Sequence, residues 1–457
     1  MKTRMKTQTK RPWSRGDNLL ITVPSILAAL GCGLFFWLRA ANTLPAPLPL
    51  PHPMPTVNAR DYYIAAADTL LENNKIGYAD RPWGPGIHPA TPDQHFYSLA
   101  AKEKLVAENA RALSLLHQGF QFPYQDPPVR SLFIIFPQFQ RMRHIAEFLS
   151  LDGQVKAAQG NWSGAVNTEL DAVQMGENLP RGGGINAMYL GSMCQSIGRR
   201  HAWEAVPHLS GPVAQAATRR LEAIRTAHVP LVDTVQEEKW GMQAGLRDAM
   251  AQPDWVNRFI MDANCGWTPT LTQNPQAWAG NITWATSIQL IGKGRILTRN
   301  AHWMDEAIAQ ARQPYAAHPA MPPVPDDFVN QMLLSNYDNA RRRESVTDTL
   351  NALLVTTLAL QAYRQDHKAY PPTLAALAPA YLKAVPPDPF ALSGPLRYKL
   401  AGAKYALYSV GPDGKDDGGK AIFDATQPAP GPGDRSDQRH FVQQDSTGDI
   451  VAGVNIY

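Results

Sequence analysis

Residues 411–419 read GPDGKDDGG, placing three carboxylates, Asp413, Asp416 and Asp417, among Gly411, Gly414, Gly418 and Gly419. A hard cation takes oxygen ligands, roughly six to eight of them at short range. Glycines let a loop turn its carbonyls toward one centre. The spacing is not that of an EF-hand, because Lys415 stands where a third ligand would fall. The same residues also make an ordinary solvated Asp-Gly turn that simply reverses the chain.

Other chemistry is sparser. His201 and His208 are seven apart and could share a helix face, but Pro207 breaks the run. Zinc needs three or four converging ligands, and the sequence offers one pair, with no HExxH, HxxEH or CxxC. Glu237 and Glu238 are adjacent on an expected helix, so their side chains point about 100° apart. A solvated face or a buried ion pair suits them better than a shared acid–base site. The stretch RGGGI at 181–185 lacks the Gly-Lys-Ser ending of a phosphate loop and reads as a helix break. There is no Gly-x-Ser-x-Gly elbow to present a serine nucleophile. No catalytic residue and no organic cofactor site is therefore expected. Asn161 and Asn281 open glycosylation sequons that matter only in a eukaryotic host.

The elements that would position these residues begin at the N-terminus. Lys2, Arg4, Lys6, Lys10, Arg11 and Arg15 precede residue 18 against one anion, Asp17. Residues 18–38, NLLITVPSILAALGCGLFFWL, carry no charge and are long enough to cross a hydrocarbon core as a helix. The positive-inside rule then puts residues 1–17 in the cytoplasm and the rest outside. A cleaved signal peptide is the alternative, although the apolar run exceeds a usual h-region. Lipid attachment at Cys32 fits less well, since the chain stays apolar beyond it. Past the expected span, 18–40, prolines at every second position from 45 to 55 make 41–58 a stiff, extended spacer. From residue 42 onward 36 Lys and Arg face 38 Asp and Glu. That excludes the basic footprint a nucleic-acid partner requires.

The fold class expected is mostly α, with three parts: a transmembrane helix, an irregular helical bundle over 59–336, and a small α+β module over 344–457. Helical spacing puts Tyr63, Ala66, Ala67 and Leu70 on one face, Met142, Ile145, Phe148 and Leu149 on another, and Ala165, Leu170, Val173 and Met175 on a third. GNW at 160–162 reads as a tight turn between two helices, and no second copy at a 34-residue period supports a solenoid. Pro- and Trp-rich loops are expected at 76–96, 252–285 and 313–327. A long helix then carries Val346, Leu350, Leu353, Leu354, Thr357 and Leu360, and Pro371–Pro372 ends it. PLRYKL and KYALYSV around AGA read as a β-hairpin, with DIVAGVNIY as a further strand. Cys194 and Cys265 could pair outside the cytoplasm or stay buried thiols.

Tyr363, Asp366, Tyr370 and Pro371, then Pro386, Asp388 and Pro389, then Tyr398, Tyr408, Ser409, Gly411, Asp413 and Gly414 follow one another in a distinctive order. In that order the last hundred or so residues resemble the C-terminal part of the major pseudopilin of type II secretion systems. The middle region looks similar to membrane-anchored helical proteins of bacteria that carry the same tail. The resemblance implies Ca²⁺ binding at the loop after the hairpin, with Asp413, Asp416 and Asp417 joined by Asp445 and Asp449. The insert 420–444 separates those two halves. Two further departures stand out. Some 300 residues part the N-terminal segment from the module, and the fifth residue after Gly16 is Ile21 where a prepilin leader has Glu. Pilin processing and polymerisation are therefore not expected. The expected protein is a structural or binding component of the bacterial envelope: inner-membrane, single-pass, body periplasmic. Its expected partners are the lipid bilayer through residues 18–38 and other envelope proteins, with no nucleic acid. The alternative is an envelope hydrolase whose site in the helical domain no linear motif reveals.

Overall fold

The computed structural model describes residues 15–43, 53–72, 98–132, 137–263, 275–317, 321–334, 337–427 and 438–456. Fourteen helices are described: α1 Arg15–Asn42, α2 Ala59–Glu72, α3 Leu99–Glu108, α4 Ala110–Gly119, α5 Pro137–Ala158, α6 Trp162–Asn178, α7 Ile185–Ala205, α8 Gly211–Thr226, α9 Leu231–Ala251, α10 Trp255–Ala263, α11 Pro275–Ile291, α12 Lys293–Ala311, α13 Phe328–Leu333 and α14 Tyr337–His367. Three strands follow, β1 Arg397–Ala401, β2 Lys404–Ser409 and β3 Ile450–Val451. The chain is mostly helical, with a small antiparallel sheet near its end. Its contacts divide it into two units, one gathering residues 1–47, 249–301 and 324–333, the other 48–248, 302–323 and 334–457.

In the first unit, α1 is the one described helix long and apolar enough to cross a membrane, over Val23–Asn42, and its side chains before Ala41 are exposed where described. Leu27, Leu30, Leu34, Phe35 and Phe36 are all exposed. The far end of α1 meets the α11–α12 elbow. Gly292 holds φ +87 there, and a Cβ on it would meet the Ala41 carbonyl at 2.8 Å. The Lys293 N–H donates to Asn42 Oδ1 at 3.3 Å, and the Arg295 guanidinium lies 4.2 Å from the Trp37 ring centre. The loop expected at 252–285 is in part helical, holding α10 and the start of α11. Trp255, Val256 and Phe259 give α10 a buried face that the Pro- and Trp-rich composition masks. The stretch 76–96 and Cys265 lie outside the described residues.

In the second unit the sequence periodicities become buried faces. Tyr63, Ala66, Ala67 and Leu70 of α2 meet Ala112 and Leu116 of α4, Ile145 and Leu149 of α5, and Met175 of α6 in one apolar cluster. Between α5 and α6, Gly160 takes φ +76 and the Asn161 side chain accepts from the Gly164 N–H at 2.9 Å, capping α6. Helices α6 and α7 pack backbone to backbone. A Cβ on Gly176 would sit 2.5 Å from the Gly191 carbonyl, and one on Gly198 would run into the Glu169 carbonyl. Only glycine allows that approach.

A second cluster starts at Val166, Leu170 and Val173 of α6, passes through Leu221 of α8, and takes in Leu350, Leu353, Leu354 and Leu358 of α14. It continues to Phe390, Leu407 and Ile450 around the sheet. One core thus runs from the bundle into the α+β segment, with α14 as its shared wall. The hairpin closes in two residues, Ala401 paired with Lys404, and Gly402 opens the turn at φ +59. β3 adds antiparallel to β2, Tyr408 opposite Val451.

Candidate functional site

Several residues of the C-terminal segment are joined by hydrogen bonds. Asp388 is 3% exposed; its Oδ1 accepts from Ser409 Oγ at 2.6 Å and the Phe390 N–H at 3.0 Å, and its Oδ2 from the Val410 N–H at 3.0 Å. The Tyr398 hydroxyl donates to the Pro371 carbonyl, and the Tyr381 hydroxyl to Asp366 Oδ2, each at 2.8 Å. These bonds tie the end of α14 and the Pro-rich loop to the hairpin.

The acidic loop uses its carboxylates on its own backbone. Gly411, Gly414, Gly418 and Gly419 all hold positive φ, between 69 and 92. Asp449 is fully buried and accepts from the Gly419 N–H at 2.6 Å and the Asp417 N–H at 3.3 Å. Burial raises its pKa, those N–H groups oppose the rise, and the charges of Asp416 and Asp417 add to it. Asp416 Oδ1 accepts from the Gly418 N–H at 2.9 Å and the Tyr408 hydroxyl at 3.0 Å, and its pKa falls chiefly through the Gly418 bond. Asp413 Oδ1 takes the Lys415 N–H two residues on, a local turn bond. Asp445 is exposed and acts on Arg342, whose guanidinium donates to the Val442 carbonyl. Asp416, Asp417 and Asp449 are therefore electrostatic neighbours, while Asp413 bonds within its own turn and Asp445 acts on Arg342. Among the described residues no three His, Cys, Asp or Glu side chains gather as a metal-holding group.

The two histidines singled out by spacing do not converge either. The His208 ring stacks on Trp162 at 3.9 Å between centres, 8° from parallel. His201 enters a cleft of about 420 Å³ bordered by α3, α5, α6 and α7. Its Nδ1 lies 3.1 Å from Glu204 Oε2 and its Nε2 3.3 Å from Gln154 Nε2. Gln154 Oε1 accepts from Lys102 Nζ at 3.0 Å, which fixes the amide and makes its nitrogen the donor to His201. His201 then carries its proton on Nδ1, toward Glu204. Glu169 also lines this cleft at 1% exposure. Ser150 Oγ stands 3.4 Å from Glu169 Oε1, and Glu169 Oε2 is buried without a hydrogen-bond partner. Burial pushes this carboxyl well above the usual range, the Ser150 bond opposes, and Glu204, Asp152 and Asp171 add to the rise. Gly153 makes room for it, since a Cβ there would collide with Glu169 Oε1.

Sequence reasoning missed the cleft. One signal was available: Glu169 lies four residues from Ala165 and four from Val173, so a carboxylate sits on the apolar stripe of α6. The adjacent pair splits as geometry requires. Glu237 pairs with Arg130 at 2.5 Å, and Glu238 Oε2 accepts from the Ile185 N–H at 2.9 Å, at the start of α7. Residues 179–184, with RGGG, do break the helix between α6 and α7. Cys194 is a buried free thiol, raised by desolvation. No family model, curated protein or solved structure matches this chain.

Proposed function

We propose that the protein is a single-pass component of a bacterial inner membrane, N-terminus in the cytoplasm, holding a structural or binding body in the periplasm. The observation that carries this reading is the exposed apolar surface of α1, where Leu27, Leu30, Leu34, Phe35 and Phe36 are all uncovered among the described residues. Uncovered apolar surface of that extent calls for lipid rather than water. Orientation is assigned from the six cations before residue 18. The C-terminal segment is the pseudopilin-like part, and its short sheet offers β1 as an edge to which envelope proteins can add a strand. Removal of residues 1–43 should release the chain from membranes that resist alkaline carbonate. A wild-type chain found soluble and shortened at its N-terminus would mean a signal peptide instead.

The same proposal gives the loop around Asp449 a Ca²⁺ ion, held by Asp416, Asp417 and Asp449. Melting of the full chain with Ca²⁺ and then with chelator tests it. A rise of one transition that Asp416→Ala and Asp417→Ala abolish supports a cation there, and no rise reduces the loop to a turn. The second reading, an envelope hydrolase, draws on the Glu169 cleft, where a buried acid with a raised pKa shares the lining with His201 and Glu204. It requires Glu169→Gln to abolish a turnover of envelope material.

A further inference from the structure

Glu169 presents an unusual balance. A fully buried carboxyl keeps Oε2 without a partner, at the wall of an open cleft, on a helix whose other buried polar groups are bonded. Orphaned buried polar atoms are costly and are few in folded proteins. The groups around it from every packed element are predominantly acidic. Glu204 comes from α7, Asp152 from α5 and Asp171 from α6, and each disfavours a charge on Glu169. The cations nearby are already engaged. Lys156 Nζ holds Asp152 Oδ2 at 2.6 Å and Thr168 Oγ1 at 2.7 Å, Lys102 holds Gln154, and Arg220 holds Asp171. What the floor of the cleft lacks is a positive charge.

We propose that this cleft binds a small primary amine, its ammonium donating to the orphaned Glu169 carboxyl and its carbon chain lying along the Trp162 ring. An alcohol or amide could fill one hydrogen bond to Oε2, but it would leave the acid neutral. An ammonium also takes up the negative field of Glu204, Asp152 and Asp171. Trp162 is half-buried, one face on His208, and lines the same cleft. An indole suits both methylenes and cations. Glu204 stands at the rim with its side chain 60% exposed. A second ammonium on the same chain would meet it, so a linear diamine is the preferred form. Binding moves a proton: Glu169 ionises as the ammonium arrives, and one proton leaves to solvent. The inference is independent of how the chain is anchored. It also opposes the hydrolase reading on one point, since a proton donor would keep its proton on ligand binding.

The test is calorimetric titration of the full chain in lipid nanodiscs with pentane-1,5-diamine, pentylamine and pentan-1-ol. Each titration is run near neutral pH in two buffers of different ionisation enthalpy. Saturable binding of both amines, none of the alcohol, and proton release that accompanies amine binding are expected. Glu169→Gln should weaken the diamine at least about tenfold and abolish the proton release. Its melting at pH 5, compared with the wild type, shows that the variant is folded. Absence of saturation, binding without proton release, or equal binding by a folded Glu169→Gln chain would each overturn the proposal.

Discussion

A residue kept for a ligand, at a cost to the fold, should reveal that cost when it is replaced. Glu169→Gln keeps the shape and the acceptor facing Ser150 Oγ, and it removes the ability to ionise. Below the unfolded value of 4.5 both chains are neutral at this position, so their stabilities should agree within about 0.5 kcal/mol. Above it the unfolded wild type loses its proton while the folded chain keeps it. Stability is thus fully present below pH 4.5 and lost as pH rises toward the raised folded value. Each pH unit inside that window costs about 1.4 kcal/mol. Glutamine carries no such cost. The expected result is a variant equal to wild type near pH 4 and progressively more stable than it as pH rises above 4.5. Urea denaturation across that range, followed by tryptophan fluorescence, measures it. A difference that does not change with pH would refute the reasoning, because Glu169 would then ionise equally in both states.

The buried clamp and the exposed turn of the C-terminal segment should separate cleanly in thermal melting. Asp388→Ala orphans two N–H groups and a hydroxyl and should cost about 3–5 kcal/mol, whereas Asp413→Ala loses one local bond and should stay within about 0.5 kcal/mol. His228 sits 2.6 Å from Glu177 and 3.3 Å from Glu344. Burial would lower its pKa, but the two carboxylates outweigh it and lift it to about 10. Its contribution is therefore complete below pH 6.5 and disappears as pH rises to about 10. Allowing for its 41% exposed side chain, about 1–2 kcal/mol should be lost over that range, and His228→Gln should flatten the profile. Gly198→Val should cost at least about 2–3 kcal/mol by forcing α6 and α7 apart, read as a lowered denaturation midpoint with an unchanged slope.

The helical faces were legible because a 3.6-residue period survives any tertiary arrangement. Tyr63, Ile145, Leu170 and Leu350 are buried where the spacing put them. The hairpin was legible from two Tyr-rich runs around Gly402. Helices α10 and α11 were not, because Pro, Trp and Gly at 252–285 imitate a loop while Trp255, Val256 and Phe259 still share a buried face. The roles of the acidic residues lie beyond linear reading. Asp449 shows as a possible ligand in sequence, but its partners are backbone N–H groups some thirty residues earlier. The cleft combines residues 102, 154, 169 and 204 from four helices, which share no spacing that a motif could capture. That α14 walls the bundle as well as the sheet follows from its apolar residues facing both, with Leu350, Leu354 and Leu358 in one core with Leu221 and Leu407.

The central claim is an anchored chain with its body outside the cytoplasm. Labelling of intact cells with a membrane-impermeant maleimide tests it directly. Lys104→Cys places a thiol on a side chain 77% exposed on α3, and Thr7→Cys places one before the span. Cys32 and Cys265 are replaced by serine, and Cys194 is buried and silent. The account predicts that position 104 labels once the outer membrane is permeabilised, while position 7 labels only after lysis. Labelling of position 7 before lysis with protection of position 104 would contradict it.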